Sequence, residues 1–284
     1  MLFNQFSRTA EAAAALRAWG AMSPRGRAVF HDPHALRLTS RLWRARLKHP
    51  AQRAVLMDGL LRWMQPIAAQ VLARSHHAEQ RLQDAVAGGT QQYVIVGAGL
   101  DSFHWRRPVW ARALAVYEVD HPATQAMKRA RCAASALRGE PHWVAANFER
   151  ESVADALRRS TFDAGQPAFF AWLGVTHYLK PAATRATLAA LAEMAAPGSE
   201  LVFDYSVPPA QIALRDWPLS AGLGVLTALL GEPLVGGLKP ETLAAWAAET
   251  GWTVAEDLAG PPAGELKLPQ VTRLAHWRRT AATA

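Results

Sequence analysis

Cysteine is almost absent from this chain. Cys132 is the only one in 284 residues, so no intramolecular disulfide can close and no cysteine zinc cluster can form. Nothing requires an oxidising compartment, and a cytoplasmic location fits best. Long apolar runs are missing as well. The stretch Trp217 to Gly231 is fifteen uncharged residues, but it contains Pro218 and three glycines and falls short of the roughly 18 to 20 apolar residues of a spanning helix. The segment Met1 to Arg8 has no basic region followed by an apolar core, so no secretory leader is expected there. Blocks of like charge are also absent. Thirty-one Lys and Arg against 23 Asp and Glu leave +8, yet the arginines are spread from Arg8 to Arg279, as on a solvated surface rather than a nucleic-acid patch. No period of 20 to 50 residues repeats, which excludes a solenoid or propeller.

What is present is ordinary globular material, with 50% apolar and 19% charged residues. Ala10 to Trp19 and Gln52 to Val86 are rich in Ala and Leu with polar residues at helical spacing, so the first third is expected to be helical, interrupted by Pro24, Gly26 and Asp32-Pro33. From Tyr93 onward strand-like and helix-like segments alternate, the pattern of a mostly parallel α/β sheet. Seven strands are expected: Tyr93 to Val96, Leu114 to Val119, His142 to Ala145, Ala168 to Leu173, Leu201 to Tyr205, Thr253 to Asp257 and Arg273 to Trp277. Lys180-Pro181 and Pro240-Glu241 open helices between them, and Gly260 to Pro269 reads as a mobile loop.

Gly97-Ala98-Gly99 follows the first strand directly, where a Cβ-poor turn lets backbone approach a nucleotide. The next strand ends in Asp120, about 20 residues later, where an acid would hold a ribose hydroxyl pair. A dinucleotide site would add a third glycine beside the pyrophosphate. Here Asp101-Ser102 stands in that place, and a carboxylate repels phosphate but suits a ligand with positive charge such as S-adenosylmethionine. Asp101 is equally readable as a helix cap.

These strings resemble the leucine carboxyl methyltransferase-like group of class I S-adenosylmethionine-dependent methyltransferases. The likeness runs through Ser7 to Glu11 with Arg17-Ala18, Asp32-Pro33, Val96 to Ser102, Tyr117 to Gln125 with Lys128-Arg129, Gly174-Val175, Tyr178-Leu179 and Pro197 to Ser199. The resemblance implies a Rossmann-like class I methyltransferase, a seven-stranded mostly parallel sheet with an N-terminal helical cap. Residues 1–87 would cap the cofactor site and 88–284 would form the core, with a lid insertion near 207–238. Gly97 and Gly99 would pass under the cofactor, Asp101 would line it, Asp120 would take the ribose, and Arg74 would pair with the methionine carboxylate. Asn147 and Phe148, where the family commonly has an aspartate and an apolar residue, would contact the adenine. Leu173 stands where the fourth strand often carries a glutamate before Gly-Val, which removes a carboxylate from near the reactive methyl.

The expected activity is therefore methyl transfer to a carboxyl or hydroxyl group of a small metabolite, with S-adenosylmethionine as cofactor and with neither nucleic acid nor membrane as partner. A carboxylate acceptor needs no base. For a hydroxyl, His177 and Tyr178 are the nearest titratable groups, but each reads more readily as structural, a polar strand-end His and a packed Tyr, so no catalytic residue is assigned. An NAD(P)-dependent oxidoreductase and a non-catalytic cofactor-binding module of the same fold are the alternatives. No metal site is expected, because Asp32-Pro33 separates His31 from His34 and no further ligands stand at metal spacing.

Overall fold

The computed structural model describes residues 8–261 and 263–280. Ser7, at the edge of the amino-terminal match, most of Met1 to Arg8, and Pro262 within the Gly260 to Pro269 loop lie outside the described residues. The fold centres on one seven-stranded sheet of β1 (Gln92–Val96), β2 (Ala115–Asp120), β3 (His142–Ala145), β4 (Ala168–Trp172), β5 (Glu200–Ser206), β6 (Trp252–Leu258) and β7 (Thr272–Arg279). Its spatial order is β3-β2-β1-β4-β5-β7-β6. All pairings are parallel except those of β7, which runs antiparallel to both β5 and β6. Every expected strand is present, with boundaries displaced by no more than two residues.

The strands read as they do because the central ones are buried on both faces. β1 and β4 are buried at every position, so, Gln92 apart, their sequences are continuous apolar runs rather than alternating ones. The period of two still sorts the side chains. Val94 and Val96 join Tyr117, Phe170, Trp172 and Phe203 on one face, under the helices Val153–Arg158, Pro181–Glu193 and Pro240–Glu249. Tyr93 and Ile95 join Val116, Phe169, Ala171 and Val202 on the other, against the helix Gln65–Ala87. A third cluster joins Leu16, Trp19, Met64 and Ile67 of the amino-terminal segment to Leu219, Leu223 and Leu226 of the helix Trp217–Leu229. No helix among the described residues is long and apolar enough to cross a membrane.

One amino-terminal expectation is corrected. Pro24 and Gly26 do not interrupt a helix but lie inside one, Pro24–Val29, because Ser23 caps it by accepting the Gly26 N–H and proline suits the first turn. The stretch Gln52 to Val86 is helical as expected, in more than one helix type. It passes from Pro50–Arg53 through a π-helical segment, Ala54–Leu60, and a short 3-10 turn, Arg62–Met64, before the long helix begins at Gln65. Asp32-Pro33 does break the helical pattern, and Asp32 accepts the N–H groups of His34 and Ala35, each at 2.9 Å.

A buried polar network ties the amino-terminal helices to the segment that follows β1. Asp32 accepts from Arg17 Nε at 2.7 Å and from Ser102 Oγ at 2.6 Å, and Arg17 donates onward to the Leu100 carbonyl at 2.7 Å. Arg106 donates to Ser102 at 3.0 Å and forks onto Glu79. Burial alone would raise the Asp32 carboxyl, but Arg17, Arg106 and the Ser102 hydroxyl outweigh it and hold it down at about 2. Such a group contributes stability above the unfolded carboxylate range near 3.9 and loses it as pH falls toward 2. Asp32→Asn should therefore be less stable than the parent chain by about 2 kcal/mol at pH 6, and the gap should close between pH 4 and pH 2 in urea unfolding. A gap independent of pH would contradict the network.

Candidate functional site

In open α/β sheets ligands sit at the carboxyl edge where strand order reverses, here between β1 and β4. The chain leaves β1 through Gly97, whose N–H donates to the Val119 carbonyl at 2.8 Å. Gly97 has φ +67°, and a Cβ on it would lie 2.5 Å from Val175 Cγ2, so the turn has no space for a side chain. The Gly99 N–H donates to Asp120 Oδ2 at 2.5 Å, and the His121 N–H to Asp120 Oδ1 at 2.6 Å. Burial pushes the Asp120 carboxyl up, against the pull of these two amides. The turn and the acid are thus one hydrogen-bonded unit facing the cleft. Asp101 also lines the cleft, and its Oδ1 accepts the Phe103 N–H at 2.6 Å, so it stabilises the first turn of the short helix Phe103–Arg106 as well.

Across the cleft, the helix Gln65–Ala87 carries Arg74 to the ends of β4 and β5. Its Nη1 donates to Asp204 Oδ2 at 2.6 Å, with side-chain exposures of 15% and 3%. Arg74 is therefore no solvated surface residue. A Cβ on Gly174 would come within 2.7 Å of Arg74 Nη2, so the guanidinium rests directly on the turn after β4, where Gly174 has φ +74°. The Gly174 N–H donates to Asp204 Oδ1 at 2.6 Å. His177, in the turn Thr176–Tyr178, completes the cluster with Nε2 3.2 Å from Asp204 Oδ2 and Nδ1 2.8 Å from Ser206 Oγ. Burial would raise the Asp204 carboxyl, but Arg74, His177 and the Gly174 amide outweigh it and hold it well below the usual range.

One cleft of about 1290 Å³ gathers these groups. Gly97, Gly99, Asp101, Asp120, Asn147, Phe148 and Arg74 all line it, so the seven residues named for cofactor contact meet at one place. Asn147 Oδ1 accepts the Glu149 N–H at 3.0 Å, which shapes the turn after β3, and Phe148 is 41% exposed. Leu173 lines the cleft and packs partly against the core face that carries Tyr93 and Ile95. Leu16, Ile67, Leu223 and Leu226 supply apolar wall, from the amino-terminal segment on one side and the helix Trp217–Leu229 on the other.

Sequence reasoning missed Asp204 and Ser206. A carboxylate in the otherwise apolar Leu201-Val202-Phe203-Asp204-Tyr205 was the available signal, since a buried acid needs a partner. His177 and Tyr178 were singled out without an assignment. His177 is 7% exposed, and Tyr178 has its hydroxyl pushed up by burial while hydrogen-bonded to Thr9. Among the described residues no group of His, Cys, Asp and Glu could hold a metal ion.

Comparison with known proteins identifies relatives. A family model described as leucine carboxyl methyltransferase matches residues 10–192. YktD of Bacillus subtilis, named as a candidate S-adenosyl-L-methionine-dependent methyltransferase, is 36% identical over 153 residues, covering 52% of this chain and 50% of that protein. A protein of the same description from Mycobacterium ulcerans is 34% identical over 216 residues, covering 72% of this chain and 67% of the relative. The chain thus spans about half the length of the Bacillus relative. Among solved structures, a DUF574 family protein of Streptomyces avermitilis has a TM-score of 0.59 at 17% identity, covering 87% of this chain and 95% of that one. A candidate methyltransferase of Thermobifida fusca gives a TM-score of 0.55 at 20% identity, covering 82% and 90%. These two show the fold. The matched family span takes in more than half of the residues, and the chain belongs to the leucine carboxyl methyltransferase family.

Proposed function

We propose that this chain is an S-adenosylmethionine-dependent methyltransferase acting on an oxygen, carboxyl or hydroxyl, of a small acceptor. The observation that carries the reading is the meeting of the glycine turn, Asp120 and Arg74 around one cleft at the strand-order reversal. The residues fit the cofactor group by group. An ionised carboxylate offers about four acceptor sites, and Asp120 uses one on each oxygen for backbone amides, which leaves acceptor capacity for a ribose diol. Gly97 and Gly99 keep the floor free of Cβ atoms. The Arg74 guanidinium has five N–H groups, so it can hold Asp204 and still present a fork to a cofactor carboxylate. Asn147 and the exposed Phe148 ring would flank the adenine.

When bound, the cofactor supplies an electrophilic methyl on a sulfonium. The work of the chain is then alignment and exclusion of water. On this reading residues 1–87 cap the cofactor end and contribute Arg74, and the insertion near 207–238 forms the lid, its helix Trp217–Leu229 giving the acceptor an apolar wall. Such a wall suits a hydrophobic or aromatic acceptor. The oxidoreductase alternative finds no support. Ser102, where a dinucleotide site needs its third glycine, is buried and committed to Asp32, and the family and named relatives are methyltransferases.

Three outcomes are expected in calorimetric titration. S-adenosylmethionine and S-adenosylhomocysteine should bind with micromolar affinity and NAD should not. Asp120→Ala and Arg74→Lys should each weaken binding about 10- to 100-fold, the value of one charge-assisted contact. Gly97→Ala should weaken binding at least about tenfold, because its Cβ drives the turn off Val175. NAD binding, or variants that bind like the parent chain, would overturn the proposal.

A further inference from the structure

Asp204, His177 and Ser206 form a hydrogen-bonded chain whose far end, Ser206, serves none of the cofactor contacts assigned above. His177 is buried, with Nε2 on Asp204 at 3.2 Å and Nδ1 on Ser206 at 2.8 Å, and both His177 and Ser206 line the cleft. The protonation pattern follows from the partners. Asp204 already accepts from Arg74 and from the Gly174 amide, so it is a carboxylate with no proton to give. The hydrogen shared with His177 therefore sits on Nε2; in the neutral imidazole Nδ1 then carries a lone pair, and Ser206 Oγ–H donates the second bond. That leaves the lone pairs of Ser206 Oγ for a hydrogen donor in the cleft.

The surroundings hold this arrangement in place. The N–H groups of Val235 and Gly236 both donate to the His177 carbonyl, at 3.0 and 2.8 Å. A Cβ on Gly236 would come within 2.5 Å of the Thr176 carbonyl oxygen, so this strap lies directly on the His177 turn. Thr176 Oγ1 donates to the Asp204 carbonyl from the other side.

We infer that Ser206 and His177 relay a proton away from an un-ionised hydroxyl acceptor, an alcohol or phenol, with Asp204 as the positioning residue. The inference rests on the methyltransferase reading above and selects between its two acceptor classes, since a carboxylate is already ionised at neutral pH and has no proton to lose. The acceptor O–H bond breaks and its proton passes to Ser206 Oγ as the serine proton passes to His177 Nδ1. The freed electron pair on the acceptor oxygen forms the bond to the methyl carbon, and the pair of the breaking carbon–sulfur bond stays on a neutral sulfur. The positive charge thus ends on the imidazole beside Asp204.

The test combines three measurements on the intact chain. Nitrogen-15 NMR should show His177 as the Nε2–H tautomer, with Ser206→Ala moving the Nδ1 resonance. Release of S-adenosylhomocysteine should be followed over a panel of aromatic and aliphatic alcohols paired with carboxylic acids of the same skeletons. Alcohols should be methylated in preference to the acids. Ser206→Ala should lower kcat about 100-fold or more with S-adenosylhomocysteine affinity kept within about twofold, and Ser206→Thr, which retains the hydroxyl, should recover most of the rate. An Nδ1–H tautomer, turnover confined to the acids, or a Ser206→Ala rate near that of the parent chain would overturn the relay. Failure of the parent chain to bind S-adenosylhomocysteine would instead overturn the methyltransferase reading.

Discussion

The ion pair between Arg74 and Asp204 is the joint on which the cleft is built. It connects the long helix on one face of the sheet to β5, with the turn after β4 clamped between them. Because both partners are largely buried, removing either strands the other as an uncompensated charge, which costs about 3–5 kcal/mol. That penalty makes the placement specific. A slip of the helix along the sheet would separate the pair, and with it would go the Gly174 amide and His177, which share the same carboxylate. The guanidinium that faces the cleft and the imidazole behind it are thus positioned by one buried acid.

A second network does the same on the other side of the cleft. Arg17, Asp32, Ser102, Arg106 and Glu79 link the first helix, the loop after Pro24–Val29, the segment after the glycine turn and the long helix. Buried charges of this kind contribute little net stability compared with apolar packing. What they supply is orientation: the amino-terminal segment is fastened to the backbone just beyond Gly99, as the Arg17 bond to the Leu100 carbonyl shows. The amino-terminal segment and the glycine turn are therefore held together by hydrogen bonds.

The sheet was legible because its strands are short apolar runs set between turn residues, a pattern that burial on both faces imposes. The glycine turn and Asp120 were legible for a similar reason, since the nucleotide-type edge demands small residues and an acid at fixed separation. The amino-terminal segment was less so. Helical spacing cannot distinguish one long helix from the sequence of α, π and 3-10 turns between Pro50 and Gln65, and proline at 24 reads alike as a breaker and as a first-turn residue. Asp204 and Ser206 were illegible as partners of His177, because the pairing comes from two parallel strands separated by a helix, and no local spacing encodes it.

The central claim is that the cleft between the glycine turn and the Arg74–Asp204 joint is the cofactor seat. The most direct test is a crystal structure of the chain with S-adenosylhomocysteine. The account predicts the ribose diol within hydrogen-bond distance of Asp120 and the amino-acid carboxylate on the Arg74 fork, with the pair to Asp204 intact. A ligand seated with its ribose away from Asp120, or an Arg74 that leaves Asp204 and turns to solvent, would contradict it.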